Sequence, residues 1–337
     1  MRIISIHKKA IHKNYYKNSL YKMNSSQLLI AYNNIVKQLI KNYNINITNI
    51  LKLRISFQRK QNNFTILKTQ FQKNMENLKK KYHADLLVLT NSKKKALLIG
   101  INYIGTNSEL NGCINDINGI SDLLTTKYAF KSITKITDET VKKPTREVIL
   151  ESFTQFLSSG NEGDILFFSY SGHGSYTLDR NNDEKTGNDE MIISSDLKGI
   201  IDDELKTLIQ SNLKKNVTLF ALFDSCFSGT VLDLKYQYFD SLANDASTVN
   251  NNDTETVGNV IMISGCSDNQ TSADAYVDKK YQGAMTWSFI SAISDPTTLS
   301  WKDLLIKMRT QLKQSDFTQL PQLSSGRFID TNNVVCF

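Results

Sequence analysis

The chain has 337 residues, 40% hydrophobic and 22% charged, enough for a packed core in one large domain with an extension or in two modest domains. Its four cysteines, Cys113, Cys226, Cys266 and Cys336, show no CxxC or Cys/His ligand spacing, which argues against a disulfide framework and for a reducing, cytoplasmic setting. The net charge of +7 is divided: residues 1–75 carry fourteen Lys/Arg and no acid, and the remainder is net −7.

The first 92 residues read as a basic, Asn/Lys-rich, helical N-terminal extension. Leu28, Tyr32, Ile35 and Leu39 recur at three- and four-residue steps, as do Phe64, Leu67, Phe71, Met75, Leu78 and Tyr82. The spacing predicts two amphipathic helices, suited to pairing with each other or docking on the body, with an Asn-rich joint around 42–49 between them. Such a leader suits an anionic partner, nucleic acid or a membrane surface. It also suits a displaceable segment on the acidic body, a transit-like sequence, or a solvated extension reflecting an AT-rich coding genome. The start "MRIISIHKKAIHKNYYKNS" lacks the long apolar core of a secretory signal. No apolar run reaches the roughly 18 residues of a spanning helix.

The body begins near Lys93. "KKKALLIGINY" is an apolar strand, followed by a helix in "ELNGCINDINGISDLLTTKYAF" and a short strand in "SITKIT". A helix follows Pro144 in "KPTREVILESFTQFLSS". "GDILFFSYSGHG" is a strand running into a glycine turn. "DDELKTLIQSNL" is a helix, and "NVTLFALFDSC" and "GNVIMISGCSD" are buried strands. "MTWSFISAIS" and "SWKDLLIKMRTQL" are the last helices. Strands apolar throughout and alternating with helices mean an α/β fold, a mostly parallel central sheet with helices on both faces. Polar residues 240–257 are expected as a flexible loop dividing a large unit (93–239) from a small one (258–337).

Two residues at strand ends carry nucleophilic chemistry. Cys226 sits where the apolar run 219–223 stops, between an acid and a Ser-Gly turn. A thiol needs a base to become thiolate. His173 is the body's only histidine, and it follows the strand "DILFFSY". In a parallel sheet these two turns share one edge. Alone, each residue has a bland reading as a packed or hydrogen-bonded structural group. Cys113 and Cys266 read as small residues near element ends.

"FFSYSGHGS" and "ALFDSCFSGTVLDL", with "KKALLIGINY", "NGCINDI", "IIDDEL" and "DNQTSADA" in order, resemble the type I metacaspases over about residues 93–337. The resemblance implies a caspase-like fold and a cysteine endopeptidase that cleaves protein or peptide substrates after Arg or Lys. It implies Cys226 as nucleophile, His173 as acid/base, and the amides of Gly174 and Cys226 as the oxyanion hole. The matching substrate pocket is Cys113, Asp116, Ser171 and Asp224. Two carboxylates in one slot favour a guanidinium or ammonium and repel an acid. The family's calcium positions fall on Asp189, Asp202, Asp203 and Asp233; without the resemblance, Asp202 and Asp203 read as helix-capping acids and Asp189 as a loop acid. The "DRNNDEKTGNDE" stretch lacks the offsets of an EF-hand. The resemblance further implies a monomer, with no nucleic acid for the catalytic domain. Self-cleavage is expected at exposed Lys or Arg, Lys235 among the candidates. The leader does not resemble the family's Pro/Gln-rich, zinc-finger prodomain, and Phe227 stands where the family has histidine. Those two departures leave room for the alternative, a caspase-like scaffold without catalysis, targeted by its leader.

Overall fold

The computed structural model describes residues 25–91, 93–178, 187–226, 229, 231–238, 248–249, 254–265, 274–277, 280–294, 299–335 and 337. The chain divides into two compact units, Met1–Ser92 and Lys93–Phe337.

In the first unit two helices, α1 (Ser25–Lys52) and α2 (Phe57–Asn91), form a hairpin. Tyr32 meets Tyr82 with ring centroids 4.6 Å apart, and Tyr43 meets Phe71 at 4.5 Å. Numbers rise along one helix as they fall along the other, so the pair is antiparallel. Its seam is half-buried: Tyr32, Val36, Leu39, Tyr43, Ile47 and Ile50 face Phe64, Leu67, Phe71, Met75, Leu78 and Tyr82. One expectation is corrected. The Asn-rich stretch 42–49 is not a joint but lies inside α1, and the chain turns at residues 53–56. Asn costs an exposed helix only about 0.7 kcal/mol per residue relative to Ala. Tyr43, Ile47 and Ile50 on the seam outweigh that, and Gln38 Nε2 donates to Asn42 Oδ1 at 3.1 Å.

The second unit is built on an eight-stranded sheet in the order β2-β1-β3-β7-β10-β13-β8-β9. These are β1 (Lys94–Gly100), β2 (Ser132–Thr137), β3 (Ile165–Ser171), β7 (Thr218–Asp224), β8 (Tyr236–Gln237), β9 (Thr248–Val249), β10 (Asn259–Ser264) and β13 (Gln322–Ser325). The first five in that order pair in parallel, and β13, β8 and β9 close the edge antiparallel. Each buried strand sends alternate side chains to opposite faces. Leu166, Phe168 and Tyr170 of β3 and Leu219, Ala221 and Phe223 of β7 meet α4 (Arg146–Ser158) and α5 (Asp202–Asn212). Phe167, Phe220 and Leu222 meet α3 (Cys113–Thr126), α6 (Ala284–Ser294) and α7 (Trp301–Gln314). Helices thus cover both faces, as the apolar strands require.

Two smaller sheets were not foreseen. β4 (Gly174–Leu178), β5 (Asn188–Ile193) and β6 (Gly199–Ile201) form an antiparallel three-stranded sheet, and β11 (Asp274–Val277) pairs with β12 (Lys280–Gly283). They are short and polar at many positions, so periodicity does not separate them from loop. Most of the expected loop 240–257 lies outside the described residues. Within it, Thr248–Val249 pairs with Tyr236–Gln237 as strand.

The fully buried Phe220 ring lies 4.8–5.8 Å, centroid to centroid, from Phe167, Phe289, Trp301 and Phe337. Phe220→Ala is expected to cost about 3–5 kcal/mol in urea denaturation of a Cys226→Ala chain. Val141→Ala, at a fully exposed position, is expected to stay within about 0.5 kcal/mol.

Candidate active site

Strand register puts three turns at one sheet edge. Gly100 of β1 pairs with Ser171 of β3, and Ser171 pairs with Asp224 of β7. His173 lies two residues past Ser171 and Cys226 two residues past Asp224, so the two turns leave adjacent parallel strands in step. The Gly172 N–H donates to the Asp224 carbonyl at 3.3 Å. Gly174 lies against the backbone of Cys226: a Cβ there would sit 1.9 Å from the Cys226 carbonyl oxygen and 3.2 Å from its nitrogen. No residue but glycine fits that approach. Cys226 is outside any disulfide and partly open to solvent.

The imidazole of His173 is held from several sides. Its Nε2 lies 2.7 Å from the Ser108 carbonyl oxygen. A carbonyl only accepts, so Nε2 carries the hydrogen and Nδ1 keeps its lone pair. The Tyr103 ring lies 4.6 Å from the imidazole, centroid to centroid, and the His173 N–H donates to the Tyr103 hydroxyl at 2.8 Å. That hydroxyl donates on to Ile193 O at 2.7 Å. The Tyr170 hydroxyl lies 2.8 Å from the carbonyl oxygens of both His173 and Ile193, which share its one hydrogen. Burial raises the Tyr103 and Tyr170 hydroxyls well above their ordinary range, so both stay neutral donors. Tyr103 adopts φ 52°, a conformation a bulky residue seldom takes. Neither tyrosine nor Ser108 carries a sequence signal for this role; Tyr103 merely ends the first strand motif.

Of the four residues expected to line a substrate pocket, Asp116, Ser171 and Asp224 come together near these turns. Cys113 and Asp116 stand one turn apart on α3. Ser171 Oγ donates to Asp116 Oδ2 at 2.6 Å. Asp116 is 2% exposed and Asp224 4%. Both carboxylates close on one glycine of the small unit: a Cβ on Gly283 would lie 2.1 Å from Asp224 Oδ2 and 2.8 Å from Asp116 Oδ2. The Gly283 N–H donates to Asp116 Oδ1, and the Thr286 N–H to Asp224 Oδ2, each at 2.8 Å. Gly283 and Thr286 belong to no local motif, and only the folded chain reveals them. Phe227 lies outside the described residues.

The four calcium candidates are placed less uniformly. Asp202, 1% exposed, opens α5 and accepts from the N–H groups of Glu190 and Asp203 at 2.8 Å. Burial, with the negative charge of Asp233 beside it, pushes the Asp202 carboxyl up to about 7. Asp189 is buried one residue before Glu190 on β5. Asp233, at φ 43°, has Lys206 Nζ 3.7 Å away. Among the described residues no group of three or more His, Cys, Asp or Glu side chains is arranged to hold a metal ion. What fits a cation is the Asp202–Asp233 pair, two acids in a dry setting whose repulsion a positive ion would relieve.

The sheet order, with the Cys226 and His173 turns leaving neighbouring parallel strands at one end, is the arrangement expected of a caspase-like fold. The family model described as "Metacaspase, peptidase C14 domain" matches residues 94–235. Metacaspase-1 of Kluyveromyces lactis is 38% identical over 71% of this chain and 67% of its own length. Metacaspase-1 of Candida glabrata is 37% identical over 71% and 74%. A crystallised Geobacter sulfurreducens protein superposes with a TM-score of 0.53 at 25% identity, covering 71% of this chain and 95% of that one. The chain belongs to the metacaspases and is a cysteine-type endopeptidase, acting on protein substrates. No helix among the described residues is long and apolar enough to cross a membrane.

Tyr103→Phe keeps the ring against the imidazole but removes the acceptor of the His173 N–H. It is expected to cost about 1–3 kcal/mol in chemical denaturation, and NMR should show the His173 ring signals broadened.

Proposed function

We propose that the chain cleaves after Arg or Lys through a His173–Cys226 dyad, is activated by calcium and processes itself. The observation that carries this reading is the seating of Gly174 against Cys226, two residues past Asp224, whose carboxyl closes with that of Asp116 on Gly283. His173 Nδ1 takes the proton from Cys226 Sγ, and the thiolate attacks the scissile carbonyl carbon. The developing oxyanion is met by the amides of Gly174 and Cys226. The imidazolium, steadied through Nε2 by Ser108 O, returns the proton to the leaving amine. Water, deprotonated by the same imidazole, then hydrolyses the thioester.

Asp116 and Asp224 accept hydrogen bonds from Ser171, Gly283 and Thr286. A substrate guanidinium or ammonium would donate to the same carboxyl oxygens, whereas an aspartate side chain would be repelled. Asp202 and Asp233 would hold calcium, with Asp189 and Asp203 drawn in from neighbouring strands and turn. The ion would supply positive charge that lets these acids ionise together. Lys235, two residues past Asp233, is the first candidate for self-cleavage. Four cysteines with no CxxC or Cys/His ligand spacing support a cytoplasmic enzyme. Short antiparallel strands β13, β8 and β9 beyond β10 support a monomer, since they occupy the edge on which another sheet would pair.

A fluorogenic peptide ending in Arg is expected to be cut only with calcium, and Cys226→Ala is expected to abolish turnover by about 10,000-fold or more. Faster cleavage of an Asp-ending peptide would overturn the specificity. Asp116→Asn, which removes a charged hydrogen bond, and Gly283→Ala, whose Cβ displaces the two carboxyls, should each lower kcat/KM for the Arg peptide by about 10–100-fold. Iodoacetamide should still alkylate Cys226 at the wild-type rate, separating pocket from thiol. Asp202→Asn should raise the calcium concentration for half-activation about tenfold or more.

A further inference from the structure

The closed end of the helical hairpin, residues 51–60, reads "LKLRISFQRK". Large apolar side chains cluster there in water. Leu51 is 58% exposed, Leu53 42% and Phe57 76%. The α1–α2 seam does not use them, since it runs from Ile50 and Phe64 back along the shaft. Lys52, Arg54, Arg59 and Lys60 stand among them, without an acid. Residues 25–83 together hold eleven Lys/Arg and a single acid, Glu76, which pairs with Lys80 at 2.8 Å. Isolated exposed apolar residues are ordinary, but three in a ten-residue stretch that also carries four cations are not.

We propose that this tip docks the protein on an anionic lipid bilayer. Leu51, Leu53 and Phe57 enter the boundary between headgroups and acyl chains, and Lys52, Arg54, Arg59 and Lys60 meet the anionic headgroups. A bilayer is favoured over nucleic acid because the apolar side chains at the tip are largely aliphatic. Leucines beside a phosphate backbone gain nothing, whereas in lipid they leave water. The turn also limits the depth. Leu53 N–H donates to Ile50 O at 3.2 Å, Arg59 and Lys60 N–H to Ser56 O at 3.1 Å, and Lys60 Nζ to Leu51 O at 2.9 Å. Other backbone groups of residues 53–56 need water or headgroups, so the tip stays at the interface and does not reach the hydrocarbon centre. The proposal is independent of substrate specificity and of calcium.

The test uses the 337-residue chain with Cys226→Ala, floated with vesicles of phosphatidylcholine alone or with about 30% phosphatidylserine at about 0.15 M salt. Binding is expected to the anionic vesicles. Lys52→Gln/Arg54→Gln/Arg59→Gln should lower the partition coefficient by about 100-fold. Leu51→Ser/Phe57→Ser should lower it by about tenfold or more, without changing helicity by circular dichroism. Lys37→Gln/Lys41→Gln/Lys73→Gln, the same charge removed from the shaft, should cost only a few-fold. Equal binding to both vesicles, no effect of the Leu51/Phe57 pair, an equal loss from the shaft variant, or no binding would each overturn the proposal. So would tighter binding to a single-stranded oligonucleotide that ignores the Leu51/Phe57 pair, which would assign the cations to nucleic acid.

Discussion

Everything at the site depends on the in-step pairing of β3 with β7. Ser171 opposite Asp224 sets both chains to leave the sheet at the same height. Two residues later stand His173 on one turn and Cys226 on the other. A slip of one residue in that ladder would reverse which face every side chain of β7 meets. It would put Phe223 on the wrong side of the core and carry Cys226 away from Gly174. The apolar packing on both faces is therefore what holds the register. Phe168 and Phe223 on one face and Phe167 and Phe220 on the other fix it from above and below. The chemistry inherits its geometry from packing that has no chemical role.

Around that ladder the site is made rigid by neutral groups. Two buried tyrosines bind the backbone of the His173 turn and of Ile193, tying the sheet edge to the small sheet β4-β5-β6. Their hydroxyls stay protonated because burial disfavours the phenolate. The carboxyls of Asp116 and Asp224 are each oriented by a backbone N–H from the C-terminal half.

The parts legible in the sequence were those with long, uniform patterns. The buried strands of the parallel sheet and the helices beside them have continuous apolar runs or 3.6-residue steps, and the Cys226 and His173 turns announce themselves by ending such runs. What could not be read was what arrives from far along the chain. Gly283 matters because its missing side chain leaves room for two carboxylates, and no pattern near residue 283 says so. Ser108 O acts through its backbone, which sequence does not distinguish. The Asn-rich stretch 42–49 misled because composition suggested a break while Tyr43, Ile47 and Ile50 kept helical phase. The short strands of the minor sheets have too few residues for a period to show.

The strand order has a mechanical corollary. β7 and β8 precede residues 239–253, and β10 and β13 follow them, yet in space the order is β7, β10, β13, β8. The later half is clamped between strands of the earlier one. A peptide bond broken between residues 238 and 254 therefore frees neither piece. To part them, two hydrogen-bonded ladders and the core around them must be torn at once, so a nicked molecule persists as a single particle.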